Sequence, residues 1–394
     1  MQQLNETLLE FIDLHINDDL NQLALKAQKY KDIPIPFIIT QIHGRLKAKK
    51  KLPFLLQNKE IIYPKKISME QCSSEISAKY KAKLFAGDKM IDLTGGFGID
   101  CLIFAENFRE VHYVERDLEL CEIVSNNANI LGIKNLKVIN TNSEELIKAS
   151  KNNYDLIYVD PSRRDEHKSK VVNFQDCQPN IIELKNHILK TGTKLLIKAS
   201  PLLDIKLAIE QLGNISTIHI VSIKNDCKEL LFEIDNQAGI SPNIKCVNFI
   251  NQDKIMVFVT ELNTEKNALV EYGFPEKFLF EPNTSIMKAG LFKSVSQNLN
   301  LRKLHSNSHL YTFNRWQENL PGRVFEIENI INFNKKELRK LQNLKKANIT
   351  ARNFPLTVQQ IRKKTGLTEG GDIFLFATTN LNNDLIIIKS KKIM

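Results

Sequence analysis

The chain has 394 residues, 42% of them hydrophobic and 25% charged, with a formal net charge of +10. That length and balance fit two or three packed domains and exclude a disordered or fibrous chain. No apolar run approaches the ~18 residues that cross a bilayer, and "MQQLNETLLEFIDLH" has acids where a secretory leader has a basic and then an apolar stretch. A cytoplasmic location without membrane contact is therefore expected. The cysteines, Cys72, Cys101, Cys121, Cys177, Cys227 and Cys246, form no close pair and have no histidine at metal-site spacing, so reduced thiols and no metal are expected.

The positive charge is unevenly distributed. Residues 334 to 394 hold 13 lysines and arginines against 4 acids, whereas the rest of the chain is nearly balanced. A basic appended module that meets a polyanion fits this asymmetry, and a lysine-rich wet surface is the plainer alternative.

Residues 1 to about 50 read as helical, with Leu8, Phe11, Ile12 and Leu14 at helical spacing and Pro34 and Pro36 as punctuation. The run "HGRLKAKKK" at the end reads as a wet helix face. From Lys89 the texture changes to apolar bursts, "KMIDLT", "EVHYVE", "LKVIN", "DLIYVD" and "KLLIKAS", separated by helical stretches such as "DLELCEIVSNNANILG". Continuous apolar strands alternating with helices make a parallel sheet covered on both faces, an α/β doubly wound domain. "STIHIVSIKN" and "KELLFEI" follow with only Asp226 and Cys227 between them, a gap that suits a hairpin and an antiparallel last strand.

Beyond Asn236, "IKCVNFI" and "KIMVFVTEL" read as a further hairpin, "FLFEPNTSIMKAGLFKSVSQ" mixes strand and helix signals, and "HLYTF" and "RVFEI" read as strands. An α+β domain to about residue 333 follows from this pattern. The basic tail offers a helix over "NKKELRKLQNLKKAN", a second over "TVQQIRKKTG", and strands "DIFLFATT" and "DLIIIKS".

Chemistry concentrates where strands end. "IDLTGGFGID" places Gly95, Gly96 and Gly98 in a turn without side chains, so that backbone amides at a helix start can approach a ligand. Thr94 and Phe97 belong to the same turn. Asp92 closes the strand, where it can brace the loop or meet an ammonium group. Glu115, with Arg116 beside it, closes the second strand 20 residues after Gly95, where an acid can accept both hydroxyls of a ribose. Asn142 and Ser143 follow the third strand, within reach of an adenine edge. A diphosphate ligand is disfavoured, because Cys101 occupies the third glycine position of G-x-G-x-x-G and Asp92 would face negative charge. S-adenosylmethionine, with an amino group and a sulfonium, satisfies all of these placements.

The sequence resembles the class I S-adenosylmethionine-dependent methyltransferases, and more narrowly the bacterial THUMP-like domain methyltransferases. The resemblance is carried by "EQCSSEISAKYKA", "DLTGGFGID", "YVERD", "YVDPSRR", "FEPNTSIMKAG" and "NITARNFPLTVQQIRKKTGLTEGGDIFLFAT". After a helical cap over residues 1–80, read from the pattern, it implies a Rossmann-like methyltransferase domain over 81–237, a ferredoxin-like domain over 238–333 and a small basic THUMP-like domain over 334–394. It also implies that Asp160 lies beside the transferable methyl group. Amino-group methyltransferases similar to this core carry Asp or Asn, then two prolines and an aromatic ring that stacks on the target base. Asp160 and Pro161 match that pattern, whereas Ser162, Arg163 and Arg164 do not.

Without the ring, stacking worth about 1 to 3 kcal/mol is lost, unless an arginine plane replaces it; the two arginines can also clamp a phosphate or carboxylate. Asp160 is the candidate base, with a helix N-cap as its plain alternative. Gln71 and Ser74 either cover the ligand's carboxylate or serve their own helix, and His167 reads as a loop residue. The expectation is a methyltransferase acting on nucleic acid, RNA before DNA, with residues 334–394 docking the substrate. A methyltransferase of a protein or small anionic metabolite, with Arg163 and Arg164 gripping the acceptor, and a non-catalytic RNA-binding or donor-sensing protein are the other readings.

Overall fold

The computed structural model describes residues 2–163, 173–235, 239, 241–341 and 344–393. The chain divides into two compact units, Met1–Ile215 with Leu231–Ala238, and Ser216–Leu230 with Gly239–Met394. Among the described residues no helix is long and apolar enough to cross a membrane.

The first unit opens with α1 (Glu6–His15), α2 (Leu20–Leu25) and α3 (Ile35–Lys51). Leu8, Ile12, Leu23, Ile35, Ile38 and Ile42 form their shared core. Leu14, expected to face inward, is 76% exposed. Two residues beyond Ile12 it points about 200° away around the helix, out of the apolar stripe. Arg45 of α3 is buried and donates to Asp13 Oδ1 (3.0 Å) and the Lys59 carbonyl (2.8 Å), which ties the cap together. Helices α4 (Lys66–Gln71) and α5 (Glu75–Ala82) lead to the sheet.

There the chain alternates β1 (Gly87–Asp92), α6 (Ile99–Phe104), β2 (Phe108–Glu115), α7 (Leu118–Ile130), β3 (Leu136–Asn140), α8 (Ser143–Ala149) and β4 (Leu156–Val159). Short strands β5 (Ser162–Arg163) and β6 (Cys177–Gln178) pair with each other before α9 (Ile181–Thr191), β7 (Lys194–Ala199) and α10 (Ile205–Leu212). Strands β1, β2, β3, β4 and β7 pair in parallel. A hairpin follows, β8 (Ile215–Ile223) and β9 (Asp226–Asp235), and the division of the chain into units runs through it.

Lys224 and Asn225 turn this hairpin with φ of 52° and 62°. Two successive left-handed residues make the primed turn that matches strand twist, and such a turn makes β9 antiparallel to β8. The turn thus lies two residues before the Asp226–Cys227 gap read from the sequence, since asparagine tolerates that backbone better than cysteine.

In the first unit the strand order is β9-β7-β4-β1-β2-β3. The chain leaves β1 in one direction for β2 and β3 and later returns on its other side for β4 and β7. A crevice opens at such a reversal, beyond the carboxyl ends of the strands, and here that point lies between β1 and β4. The α/β doubly wound class expected from the sequence, with an antiparallel last strand and α+β structure after it, is the class observed.

The second unit contains β10 (Asn243–Phe249), which pairs in parallel with β8, and β11 (Ile255–Glu261), antiparallel to β10. Then come α11 (Leu262–Asn267), β12 (Phe278–Pro282), α12 (Thr284–Ala289), α13 (Phe292–Asn298), β13 (Arg302–Lys303), β14 (Tyr311–Phe313) and β15 (Gly322–Asn332). The chain ends with α14 (Lys335–Leu338), β16 (Asn348–Arg352), α15 (Val358–Thr365), β17 (Ile373–Thr379) and β18 (Leu385–Lys392). These strands build a sheet of order β13-β14-β12-β15-β18-β17-β16.

The β15–β18 pairing runs from Phe325–Lys392 to Asn332–Ile386, so residues before and after 333 share one sheet. The expected helix over "NKKELRKLQNLKKAN" shrinks to α14. Leu341 and Ala347 turn into a core with Ile361, Leu375 and Ile387, and the Lys345 carbonyl accepts from the Thr368 N–H (3.1 Å). Burial of two apolar side chains outweighs the helix propensity of the lysines between them.

The segment "FEPNTSIMKAG" is structural. Glu281 is 2% exposed. One of its oxygens accepts from Arg323 Nε (2.9 Å) and Nη2, and the other from Arg352 Nε (3.3 Å) and Nη2 (3.0 Å). It thereby joins β12 to β15 and β16. Asn283 caps α12 by accepting from the Ile286 N–H (3.2 Å), and Gly290, with φ of 72°, ends that helix.

Candidate active site

The glycine-rich turn between β1 and α6 is braced from beneath. Asp92 is 1% exposed. Its Oδ1 accepts from the Thr94 N–H (2.8 Å) and hydroxyl (3.1 Å), and the Cys101 thiol donates to Oδ2 (3.3 Å). Burial pushes the Asp92 carboxyl up to about 7, against the hydrogen bonds that favour its charge, with Asp100 adding to the rise. Burial, then the charge of Asp92, push the Cys101 thiol well above its ordinary value, which keeps it a donor. Of the two roles open to Asp92 from sequence, these contacts serve the first, bracing the loop. The same bond from Cys101 accounts for a cysteine where a dinucleotide fingerprint has glycine.

Two glycines are required by close approach. A Cβ on Gly95 would stand 2.2 Å from Tyr113 Cε2, and one on Gly98 would stand 2.9 Å from both methyls of Val124. The Tyr113 hydroxyl donates to the Gly96 carbonyl (2.6 Å) and fixes the turn over the ring. Among the described residues, Gly96, with φ of 54°, has nothing nearer its missing Cβ than the Thr94 carbonyl at 3.9 Å, so that side of the glycine is open to a ligand. Phe97, placed in the ligand turn by the sequence, is 2% exposed and packs near Tyr63, with ring centroids 6.3 Å apart. It belongs to the core, because an aromatic ring next to open glycine backbone is better buried beneath the turn than left in water.

At the end of β2, Glu115 Oε2 accepts from the Gly96 N–H (2.9 Å), and Oε1 accepts from the N–H groups of Arg116 (2.8 Å) and Asp117 (3.0 Å). The carboxylate is half-buried and links the glycine turn to the start of α7. Three of its roughly four acceptor positions are occupied, leaving room for one hydroxyl rather than two. Arg116 is exposed, and its guanidinium lies 3.5 Å from Gln178 Oε1 of β6. Asn142 is the exposed N-cap of α8, accepting from the N–H of Glu144 (2.8 Å) and Glu145 (3.4 Å), and Ser143 begins that helix.

Across the reversal, the N–H of Asp160 donates to the Thr94 hydroxyl (2.7 Å), joining the end of β4 to the glycine turn. Its carboxylate, 35% exposed, forms an ion pair with Lys198 of β7. The N-cap alternative fails, since Pro161 and strand β5 follow Asp160 instead of a helix. Pro161 is half-buried and Ser162 exposed, and the β5 backbone is held by pairing Ser162 with Gln178 and Arg163 with Cys177. The Arg163 side chain, Arg164 and His167 lie outside the described residues. Lys198 was not singled out in the sequence; its signal was a lone charge in "LLIKAS", at a strand end beside another strand's acid.

A second polar network lies behind this crevice. Lys81, fully buried, pairs with Asp100 Oδ1 (3.0 Å) and donates to Ser73 Oγ (2.7 Å). Ser73 and the Tyr158 hydroxyl both donate to Asp100 Oδ2 (2.8 and 2.9 Å). Burial alone would raise the Asp100 carboxyl, but Lys81 and then Lys198 hold it below its ordinary value. The network fastens α5 to α6 and β4, the two elements that carry the glycine turn and Asp160. Ser74 N-caps α5 at the Ser77 N–H (3.3 Å), and Gln71 is exposed at the end of α4. It is Ser73, between them, that enters this network.

Three family models match the chain: an RNA cap guanine-N2 methyltransferase model over residues 87–172, a ferredoxin-like domain over 278–321 and a THUMP domain-like model over 322–391. A crystal structure of a "putative methyltransferase" from Porphyromonas gingivalis W83 aligns over 100% of both chains at 29% identity, with a TM-score of 0.86. The curated "Probable cobalt-precorrin-6B C(15)-methyltransferase (decarboxylating)" of Sulfolobus acidocaldarius is 24% identical over 150 residues, 37% of this chain and 78% of that protein.

Proposed function

Because the chain belongs to the class I S-adenosylmethionine-dependent methyltransferases that carry a THUMP-like domain, we propose that it methylates RNA, with S-adenosylmethionine as donor. The observation that carries this reading is Asp160, fastened to the glycine turn through Thr94 and charge-paired with Lys198 at the point where the strand order reverses. A bound donor supplies an electrophilic methyl group, which passes to an acceptor lone pair as the carbon–sulfur bond electrons return to sulfur.

The remaining work falls to residues of this chain. Glu115 offers one free acceptor position to a ribose hydroxyl, and the open side of Gly96 lets the ligand lie against backbone. Asp160 would accept a hydrogen bond from an acceptor N–H or O–H, which leaves the acceptor lone pair free to face the methyl group, and would receive its proton, directly or through water. Lys198 holds that carboxylate in place and balances its charge before the proton arrives. The basic stretch 334–394, built into the second unit's sheet, supports docking of a polyanion.

A second reading, methylation of a small anionic metabolite, draws on the activity named for the Sulfolobus relative. Incubating labelled donor and the full chain with RNA, protein and small-molecule fractions from cells lacking this protein separates the two. Label in RNA supports the first reading; label confined to small molecules supports the second. Label in no fraction leaves a donor-binding protein without turnover.

A further inference from the structure

Residues 33 to 59 contain six lysines and arginines and no acid. Arg45 is spent on Asp13 and the Lys59 carbonyl, and Lys59 also pairs with Asp13 (2.6 Å). The others lie on the last turns of α3, where cations favour the helix dipole. That accounts for Lys49, Lys50 and Lys51 but not for the pattern around them. His43, Lys47, Lys50 and Lys51 fall within about 100° of one another around the helix, forming one stripe that runs along α3. Lys47 and Lys50 are exposed, and none of the ion pairs among the described residues engages them or Lys66, which is also exposed.

The stripe leads inward. Lys51, half-buried at its inner end, donates to the carbonyls of Met69 (3.0 Å) and Glu70 (2.7 Å), which fixes its position. Burial, with Lys198 and Lys47 close by, pulls the Lys51 ammonium below its ordinary value; Cys72 opposes them. His43 likewise falls below its ordinary value through burial, Lys66 and Lys47, and Glu70 is the acid that acts against them. The cations of this face are therefore Lys66, Lys47, Lys50 and Lys51, with His43 among them as a neutral imidazole near pH 7, and Lys198, whose charge Lys51 feels, is the ion-pair partner of Asp160.

We propose that this stripe on the N-terminal cap is a phosphate track, along which a single-stranded RNA backbone is led to Asp160. A solvated helix face would intersperse acids with lysines, as α9 does with Glu183, Lys185 and Lys190. This face offers a polyanion several cations of one sign, at a spacing an extended strand can follow, on the unit that holds the chemistry. The inference rests on the RNA reading and adds a second contact region to the basic C-terminal stretch.

The test uses the full chain and a fluorescein-labelled single-stranded oligoribonucleotide of mixed sequence, titrated at several salt concentrations. Replacing Lys47→Gln and Lys66→Gln together should weaken binding and make the log–log salt slope shallower by about 1.4, the loss of two phosphate contacts on a single strand. The pair Lys134→Gln and Lys137→Gln, exposed at the β3 edge, removes the same charge and should leave the slope unchanged. Calorimetry with S-adenosylhomocysteine should give the wild-type affinity in both variants, which establishes that each is folded. An unchanged slope in K47Q/K66Q, or an equal fall in K134Q/K137Q, overturns the track. Failure of the wild-type chain to bind the oligonucleotide at all removes the RNA reading itself, and the track with it.

Discussion

Asp92 makes a measurable statement about pH. Burial pushes its carboxyl up to about 7 in the folded protein from an ordinary value of 3.8, because burial disfavours its charge more than Thr94 and Cys101 stabilise it. The folded state therefore holds a proton that the unfolded chain has released, and stability falls as pH rises from about 4 until the folded group ionises near 7. At 1.36 kcal/mol per pH unit, a shift of about three units is worth on the order of 4 kcal/mol, of which about 2 to 3 kcal/mol lies between about pH 5 and about pH 8. Asp92→Asn keeps an acceptor for Thr94 and cannot ionise. Unfolding in urea should show wild-type stability falling relative to D92N by that amount between the two pH values. Paired carboxylates elsewhere titrate the other way, so the difference between proteins, not the wild-type curve alone, is the quantity to read. Parallel pH dependence in both proteins would refute the argument that Asp92 is buried without a cation.

Gly95→Ala places a methyl group 2.2 Å from Tyr113 Cε2. It should cost about 1 to 3 kcal/mol of stability and remove S-adenosylhomocysteine binding in calorimetry; Gly132→Ala, in open space at φ of 72°, should leave donor affinity unchanged. Glu281→Gln removes the charge that two arginines share in the second unit, and because both arginines are about a third exposed the expected loss is about 2 kcal/mol, read as a lower thermal midpoint with donor affinity retained. Lys363→Gln with Lys364→Gln on α15 should weaken RNA binding and flatten its salt dependence without changing the fold by circular dichroism. These replacements are preferable to deleting residues 334–394, because β18 supplies β15's partner strand and its loss would open the core around Phe325 and Ile331.

The parallel sheet was legible because strands buried on both faces are continuous apolar runs, and the glycine turn because only glycine fits over Tyr113 and Val124. The placement of Asp92, Glu115 and Asp160 at strand ends could be read for the same reason. What each carboxylate touches could not. Asp92 and Glu115 are engaged by backbone amides of their own loops, and such local hydrogen bonds leave no periodic trace in a sequence. Lys198 and Asp160 lie 38 residues apart and meet only because β4 and β7 are neighbours. Leu14 was misplaced by one side of its helix, since a short segment fixes its inner face only after packing. The continuity of the second sheet across residue 333 was hidden because a composition shift marks where charge accumulates, not where strands stop pairing.

Calorimetric titration of the purified chain with S-adenosylmethionine and S-adenosylhomocysteine tests most directly whether the crevice beyond β1, β2 and β4 holds that donor. Saturable binding of both, weakened in Glu115→Ala, is the result expected here. Heat from neither ligand, or an affinity in Glu115→Ala equal to that of the wild type, would contradict it.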